Sequence, residues 1–304
     1  MNRWLAPGAL LVVLLLAGCS GARPRPAAAA RSASGHGFWH RSAGGGAGFQ
    51  DDLSKPQSSR YRDGSDSVPD GPPPDLSKLP EPVPKVEPRS LYGNKSPYTV
   101  LGQTYRVLPT ARGYDERGIA SFYGNKFHGY KTSSLETYDM YAYSAASKVL
   151  PLPSYARVTN LQNGKSVIVR VNDRGPFHAN RVIDLSYVAA VKIGIWPKGT
   201  GLVEVRGIDP GQPAEELPPP PVVTSPQPGI YLQVGAFSDA GNAERVAAQV
   251  RSARLAPVQV IGVQVGGRRV LRVRVGPLPD AASADQATTR IEAMGLPRPQ
   301  VAVD

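Results

Sequence analysis

The stretch Val167-Ile168-Val169-Arg170-Val171-Asn172-Asp173-Arg174-Gly175-Pro176-Phe177 decides how this chain is read. Its first five residues are mostly β-branched and predict a strand. The strand runs into Asp173-Arg174-Gly175-Pro176, a cluster that favours a turn. A carboxylate there sits where a rigid scaffold commonly carries catalytic groups, at the mouth of a strand-end loop. Residues 155–158 and 202–208 also read as strands. A helix is expected after Asp184-Leu185-Ser186, with Ser186 as N-cap and Gly194 just past its end. A second short helix is expected over residues 144–149. Many short strands with few helices predict a mainly β domain, a small barrel, over residues 98–209.

The flanks differ in composition. Residues 19–97 hold Gly44 to Gly46, Pro72 to Pro74 and alternating prolines up to Pro88. Such sequence is poor material for helix or central strand, and it is expected to be a disordered, Pro-rich linker. Extended proline-rich chain advances about 3.1 Å per residue, so it makes a long tether. Residues 210–228, with Pro218 to Pro221 in a row, read as a second linker. Residues 229–304 form a separate module. An alternating strand at 230–236 is followed by an amphipathic helix at 242–255 and a strand at 258–265. After a Gly266-Gly267 turn come a strand at 269–275, a helix at 283–294 and a strand at 300–303. That order is βαββαβ, a small α+β split βαβ arrangement.

The chain has 304 residues, 35 Lys plus Arg, 24 Asp plus Glu and a formal charge of +11. A single cysteine excludes an intramolecular disulfide and a cysteine-built zinc cluster. Four histidines, two of them (His36 and His40) in the low-complexity stretch, leave no metal-ligand spacing in a structured region. No cofactor motif is present. No apolar run reaches the roughly 18 residues a spanning helix needs. Residues 1–18 read as an export signal: Arg3, then the short apolar run 9–16, then Ala17-Gly18 before Cys19. This resembles the lipobox of bacterial lipoproteins. The resemblance implies acylation of Cys19 and, with Ser20 following, an outer-membrane anchor facing the periplasm. Several acyl chains hold where one is marginal. In that compartment the positive charge points to acidic wall glycan or lipid head groups rather than nucleic acid. A solvated basic surface is the alternative.

Further motifs occur in order. They are Gly118-Ile119-Ala120-Ser121-Phe122-Tyr123-Gly124, Phe127-His128-Gly129, Tyr138-Asp139-Met140, Val158-Thr159-Asn160-Leu161, the quoted Val171 to Phe177, and Arg181-Val182-Ile183-Asp184-Leu185-Ser186. Together they resemble the rare lipoprotein A family. The resemblance implies a double-psi β-barrel and lytic transglycosylase activity on peptidoglycan strands stripped of stem peptides, giving 1,6-anhydro ends. Glu136 and Asp173 match the family's acidic catalytic positions. Which is acid and which base stays open, and each has an ordinary alternative: Asp173 a turn residue paired with Arg174, Glu136 a solvated loop charge. Glycosidic cleavage needs a carboxylic acid to protonate the leaving oxygen and support for an oxocarbenium-like centre. Such an acid works near neutrality when burial raises its pKa.

Two positions depart from the family pattern. Ser133-Ser134-Leu135-Glu136 stands where Asn-Gly-Glu is common, and leucine resists the positive φ that glycine accepts. Ser147 stands where the family has a histidine. A hydroxyl there can orient a carboxylate but cannot carry a proton charge near pH 7. His128 is read as packed or exposed rather than catalytic. Tyr123, Asn172, Arg174 and Asp184 are candidates for lining a sugar groove, with Tyr123 as core and Asp184 as helix start the alternatives.

In the last module, Tyr231 to Phe237, Asn242-Ala243 and Arg272-Val273-Arg274-Val275-Gly276-Pro277 resemble the SPOR domain. That resemblance implies binding of denuded glycan at the division septum, near cell-division proteins. Gln233, Arg272 and Arg274 are the candidate glycan contacts, and alternation puts the two arginines on one face. The competing reading of the whole chain is a non-catalytic septal glycan-binding lipoprotein, weakened at Ser147 and Leu135. A third is non-hydrolytic wall loosening.

Overall fold

A computed structural model describes residues 51–55, 57–61, 63–211 and 229–303. Cys19, the export signal, His36, His40 and most of the second linker lie outside the described residues. Among those described, no helix is long and apolar enough to cross a membrane.

A one-turn helix α1 (Gln57–Arg60) and a hairpin, β1 (Tyr98–Val100) with β2 (Gln103–Tyr105), precede the barrel. The barrel strands are β3 (Asp115–Tyr123), β4 (Ser144–Ser147), β5 (Ser154–Asn160), β6 (Ser166–Asp173), β7 (Arg181–Ser186) and β8 (Thr200–Ile208). Helix α2 (Tyr187–Lys192) lies between β7 and β8. The sheet closes in the order β3-β7-β4-β6-β5-β8. β3 with β7 and β4 with β6 are parallel, and the other neighbours are antiparallel. Period-two alternation fills the interior: Val167, Val169 and Val171 on β6 are buried, as are Val203 and Val205 on β8. This is the expected double-psi barrel.

Two local expectations change. Residues 144–147 are strand, not helix. Alanine favours helix when nothing else decides. Here Ala145 and Ala146 are paired on one side with β6 and on the other with β7, and this tertiary pairing outweighs propensity. Ser186 does precede α2 with extended φ and ψ, but its hydroxyl makes no cap bond. It accepts instead from Ser144 N at 3.3 Å, tying β4 to the end of β7. Gly194, at φ 72°, closes the helix as expected.

The described part of the first linker is not a free tether. Residues 51–97 hold little regular structure, yet they strap the barrel. Prolines remove ladder donors, so side chains make the attachments. Glu87 takes a two-pronged ion pair from Arg170, Nε to Oε1 and Nη2 to Oε2, both 2.9 Å. Glu81 accepts Ile168 N at 2.7 Å and pairs with Lys192 at 2.5 Å. Asn94 makes a two-way bond with the backbone of Leu152, at 2.6 and 2.9 Å. Asp66 accepts from Gly124 N and Lys126 N at 2.8 and 3.1 Å. A side chain at Gly124 would put its Cβ 2.1 Å from Ser67 O, so only glycine lets the strap lie here. Val68, Leu76 and Leu79 pack against the barrel core.

The C-terminal module is as expected: β9 (Ile230–Phe237), α3 (Ala240–Ser252), β10 (Val258–Val265), β11 (Arg268–Leu278), α4 (Ala281–Ala293) and β12 (Gln300–Val303). Its antiparallel sheet runs β10-β11-β9-β12. Asp239 and Asp280 cap the two helices by accepting from Asn242 N and Ser283 N, each at 2.7 Å. Gly266 and Gly267 both have positive φ, which the tight β10–β11 turn requires.

Candidate active site

Register builds the site. Ala146 on β4 is opposite Asp173 on β6 and opposite Asp184 on β7. Three adjacent strands therefore set Asp173, Ala146 and Asp184 in one row. Two inter-strand spacings put the two aspartate backbones about 10 Å apart. The residue between them is only a methyl group. Above this row lies an open groove of about 460 Å³, lined among others by Ser121, Tyr123, Arg181 and the loop from Arg174 to His178.

Asp184 is half-buried on β7, a strand residue rather than the start of a helix. Ser121, its register partner on β3, donates its hydroxyl to Asp184 Oδ1. Arg181 Nη1 in turn donates to Ser121 Oγ at 3.0 Å. Burial pushes the Asp184 carboxyl above the usual range, against the opposing pull of Ser121, Arg181, His178 and Lys148. A carboxyl so raised, opening on a groove, is suited to hold a proton and give it up.

Asp173 lines the same groove. Its Oδ1 accepts from Ser133 N at 2.8 Å, Ser133 Oγ at 2.6 Å and Arg174 N at 2.7 Å. These bonds fasten the 132–136 loop to the end of β6. Burial still raises the carboxyl above its ordinary value, because it outweighs those bonds and the Arg174 charge. Both carboxylates act on Tyr123, whose phenol is held un-ionised chiefly by its own burial.

Glu136 is placed differently. It is not among the groove-lining residues, and its side chain is 38% exposed. Arg170 Nη1 donates to its Oε2 at 2.6 Å and Asn172 Nδ2 at 2.9 Å. Burial works to raise its pKa, but these two donors and the Arg170 charge outweigh it and hold the carboxylate ionised to lower pH. Glu136 thus belongs to the loop that Asp173 fastens through Ser133, but it is held by Arg170 and Asn172, and only Asp173 of the two lines the groove.

The other candidates divide. Ser147 is 1% exposed, and its hydroxyl accepts from Leu150 N at 3.1 Å and Val149 N at 3.3 Å. It shapes a turn and touches no carboxylate among the described contacts. Leu135 adopts φ 65°, the left-handed conformation expected of glycine, so the loop keeps its turn in spite of the substitution. The Arg174 guanidinium is spent on the carbonyls of Gly93 and Ser147 and on Asn94 Oδ1, at 2.6, 3.0 and 3.1 Å. Burial lowers its pKa to about 10. The guanidinium clamps the strap, while the residue still lines the groove. Tyr123 is 8% exposed and stacked on Tyr138 at 4.1 Å, so it belongs mostly to the core. Asn172 is buried behind Glu136, and its Oδ1 has no partner. His128 accepts from Met140 N at 3.2 Å and is not among the groove-lining residues.

Ser121 and Arg181 were not singled out from the sequence. Both stand inside the quoted motifs, but only the β3–β7 register shows that they converge on Asp184.

A second site is formed by the C-terminal sheet. Val273 and Val275 are fully buried, so alternation turns Arg272 and Arg274 to the opposite, helix-free face. Arg274 is opposite Gln259 and Gln233, and Gln233 is opposite Gln300. Gln259, Arg274, Gln233 and Gln300 make one polar row across all four strands. Amide and guanidinium donors in a line suit sugar hydroxyls and carboxylates.

Residues 115–206 match the lytic transglycolase family model, and residues 226–301 match the SPOR domain model. A Pseudomonas aeruginosa protein named endolytic peptidoglycan transglycosylase RlpA is 38% identical over 343 residues, covering 94% of this chain and 93% of that one. The Vibrio cholerae protein of the same name is 43% identical over 209 residues, covering 69% and 65%. The crystal structure of the SPOR domain of Pseudomonas aeruginosa RlpA aligns at 32% identity, covering 24% of this chain and 97% of that one, with a TM-score of 0.24. With a closed barrel, a four-stranded C-terminal module and near end-to-end similarity of this kind, the chain belongs to the RlpA family of endolytic peptidoglycan transglycosylases.

Proposed function

We propose that the barrel groove cleaves peptidoglycan glycan strands by lytic transglycosylation, with Asp184 as the proton donor. The observation that carries this is that, of the two raised carboxyls on the groove, Asp173 accepts three hydrogen bonds that favour its ionised form, whereas Asp184 accepts one, from Ser121. In the step envisaged, the Asp184 acid protonates the glycosidic oxygen and the C1–O bond breaks. The C6 hydroxyl of the same muramic acid then bonds to C1 and returns its proton to the Asp184 carboxylate. No water is consumed, and the product ends in a 1,6-anhydro ring. Asp173, when ionised, faces the developing positive centre. Glu136 supports the β6 end through Arg170 and Asn172.

Strands without stem peptides expose the lactyl carboxylate of each muramic acid, and Arg181 beside Asp184 offers a cation to it. The polar row on the C-terminal sheet suits the same polymer and would concentrate it near the groove. The reading includes acylation at Cys19, anchoring in the outer membrane and recruitment to the septum, where cell-division proteins assemble. One observation favours the non-catalytic alternative: Ser147 supplies no imidazole, and its hydroxyl is committed to a turn.

The test uses amidase-stripped sacculi, with soluble products read by mass spectrometry. Anhydro-ended, peptide-free glycans that disappear with Asp184→Asn support the proposal. Retained activity in Asp184→Asn with loss in Glu136→Gln would move the acid to Glu136. No product despite pelleting with sacculi would leave a glycan-binding protein.

A further inference from the structure

The barrel carries an apolar patch on its outer surface. Ala120 and Val203 point into the core, so their neighbours Ile119 and Leu202 point outward by alternation. Yet Ile119, Leu202 and Leu161 are only 1%, 3% and 5% exposed. They cluster with Ile230, Leu278 and Ala281 of the C-terminal module. A polar clamp accompanies this packing. Asn180 and Thr288 are each 3% exposed. Asn180 Nδ2 donates to Asp285 Oδ1 at 2.8 Å and to Thr288 Oγ1 at 3.0 Å, and Thr288 Oγ1 donates back to Asn180 Oδ1 at 3.3 Å. A fully satisfied buried amide is a specific contact, because leaving it unpaired is costly.

The place of Asn180 gives the clamp its meaning. It ends the β6–β7 connection, whose residues 174–178 form a wall of the groove, and it immediately precedes Arg181. Arg181 holds Ser121, and Ser121 holds Asp184. We propose that the C-terminal module docks on the barrel through Ile119, Leu161 and Leu202, and that Asp285 and Thr288 on α4 are positioning residues for the Asn180–Arg181 root of the groove. The module that suits glycan binding is then also a structural part of the cleaving unit. The positioning half rests on the proposed function; the docking half does not.

The full-length protein and its Asp285→Ala/Thr288→Val variant are compared by amide hydrogen exchange, by turnover at saturating stripped sacculi and by pelleting. The expected result is about tenfold faster exchange over residues 177–181 and a similar fall in turnover, with pelleting unchanged. Asp285→Asn, which keeps the acceptor oxygen and Thr288, should leave both at the parental values. Unchanged exchange in the double variant overturns the docking. Faster exchange with unchanged turnover overturns the positioning role. If the parent protein releases no product, the proposed function fails, and exchange alone still decides the docking.

Discussion

Ser133 donates both its backbone N–H and its hydroxyl to one oxygen of Asp173, at 2.8 and 2.6 Å. A carboxylate so well supplied with donors would ordinarily have a low pKa, yet burial keeps this one raised. Asp184 is raised for the same reason. A carboxyl whose folded pKa exceeds its unfolded value near 3.8 contributes its stability below that value and loses it as pH rises through the folded pKa. At pH 7 both groups therefore work against the fold. Asp184→Asn should raise the melting temperature at pH 7 while abolishing cleavage. The gain should vanish below about pH 4, where the parent carboxyl is protonated in both states. Thermal melts at the two pH values check the sign.

Glu87 behaves in the opposite sense. The Arg170 hydrogen bonds hold its carboxyl below the usual range, so its contribution is present above the unfolded value of 4.5 and lost as pH falls through the folded one. Glu87→Gln breaks the fork on Arg170 and should cost about 1–3 kcal/mol. It should also speed proteolytic cutting within residues 63–97, which limited digestion followed by mass spectrometry would locate.

Leu135 is 38% exposed and held at φ 65°. Left-handed backbone strains a branched residue by about 1–2 kcal/mol, and glycine recovers that at some entropic cost. Leu135→Gly is expected to stabilise the protein by about 0.5–1 kcal/mol in urea unfolding.

Ser147→Ala removes the acceptor for two backbone N–H groups. It should cost about 1 kcal/mol of stability, as a lost cap does, and leave cleavage per folded molecule unchanged. A loss of turnover without loss of stability would show that the hydroxyl serves the reaction.

On the C-terminal sheet, Arg272→Ala should weaken pelleting with stripped sacculi by about 10- to 100-fold, since one charge-assisted hydrogen bond is worth about 1.5–3 kcal/mol. Titration of pelleted protein against sacculi measures it.

Much of the fold was legible because period-two alternation and turn chemistry agree with the tertiary structure along β5, β6, β8 and the whole C-terminal module. Residues 144–147 were not, since two alanines carry no strand signal and only their pairing with β6 and β7 explains them. The strap was hidden for a related reason. Proline-rich composition announces the lack of ladders but says nothing about Glu81 and Glu87 finding Lys192 and Arg170. At the site, motif matching reached Asp173, Glu136 and Asp184. It gave Glu136 and Asp173 as the catalytic pair and Asp184 only as a groove residue, and it could not show their environments: Arg170 lowers the Glu136 carboxyl, and burial raises the other two.

The strap also bears on how fast the molecule is made. Glu87 and Arg170 stand 83 residues apart in sequence, and Glu81 and Ile168 stand 87 apart. The strap emerges first from the ribosome and must wait for β6 and α2 before its carboxylates find partners. Long-range closure of this kind is paid in chain entropy before any contact rewards it. Its attachments belong among the late events of folding, so weakening Glu87 should speed unfolding and leave the refolding rate of the barrel nearly untouched.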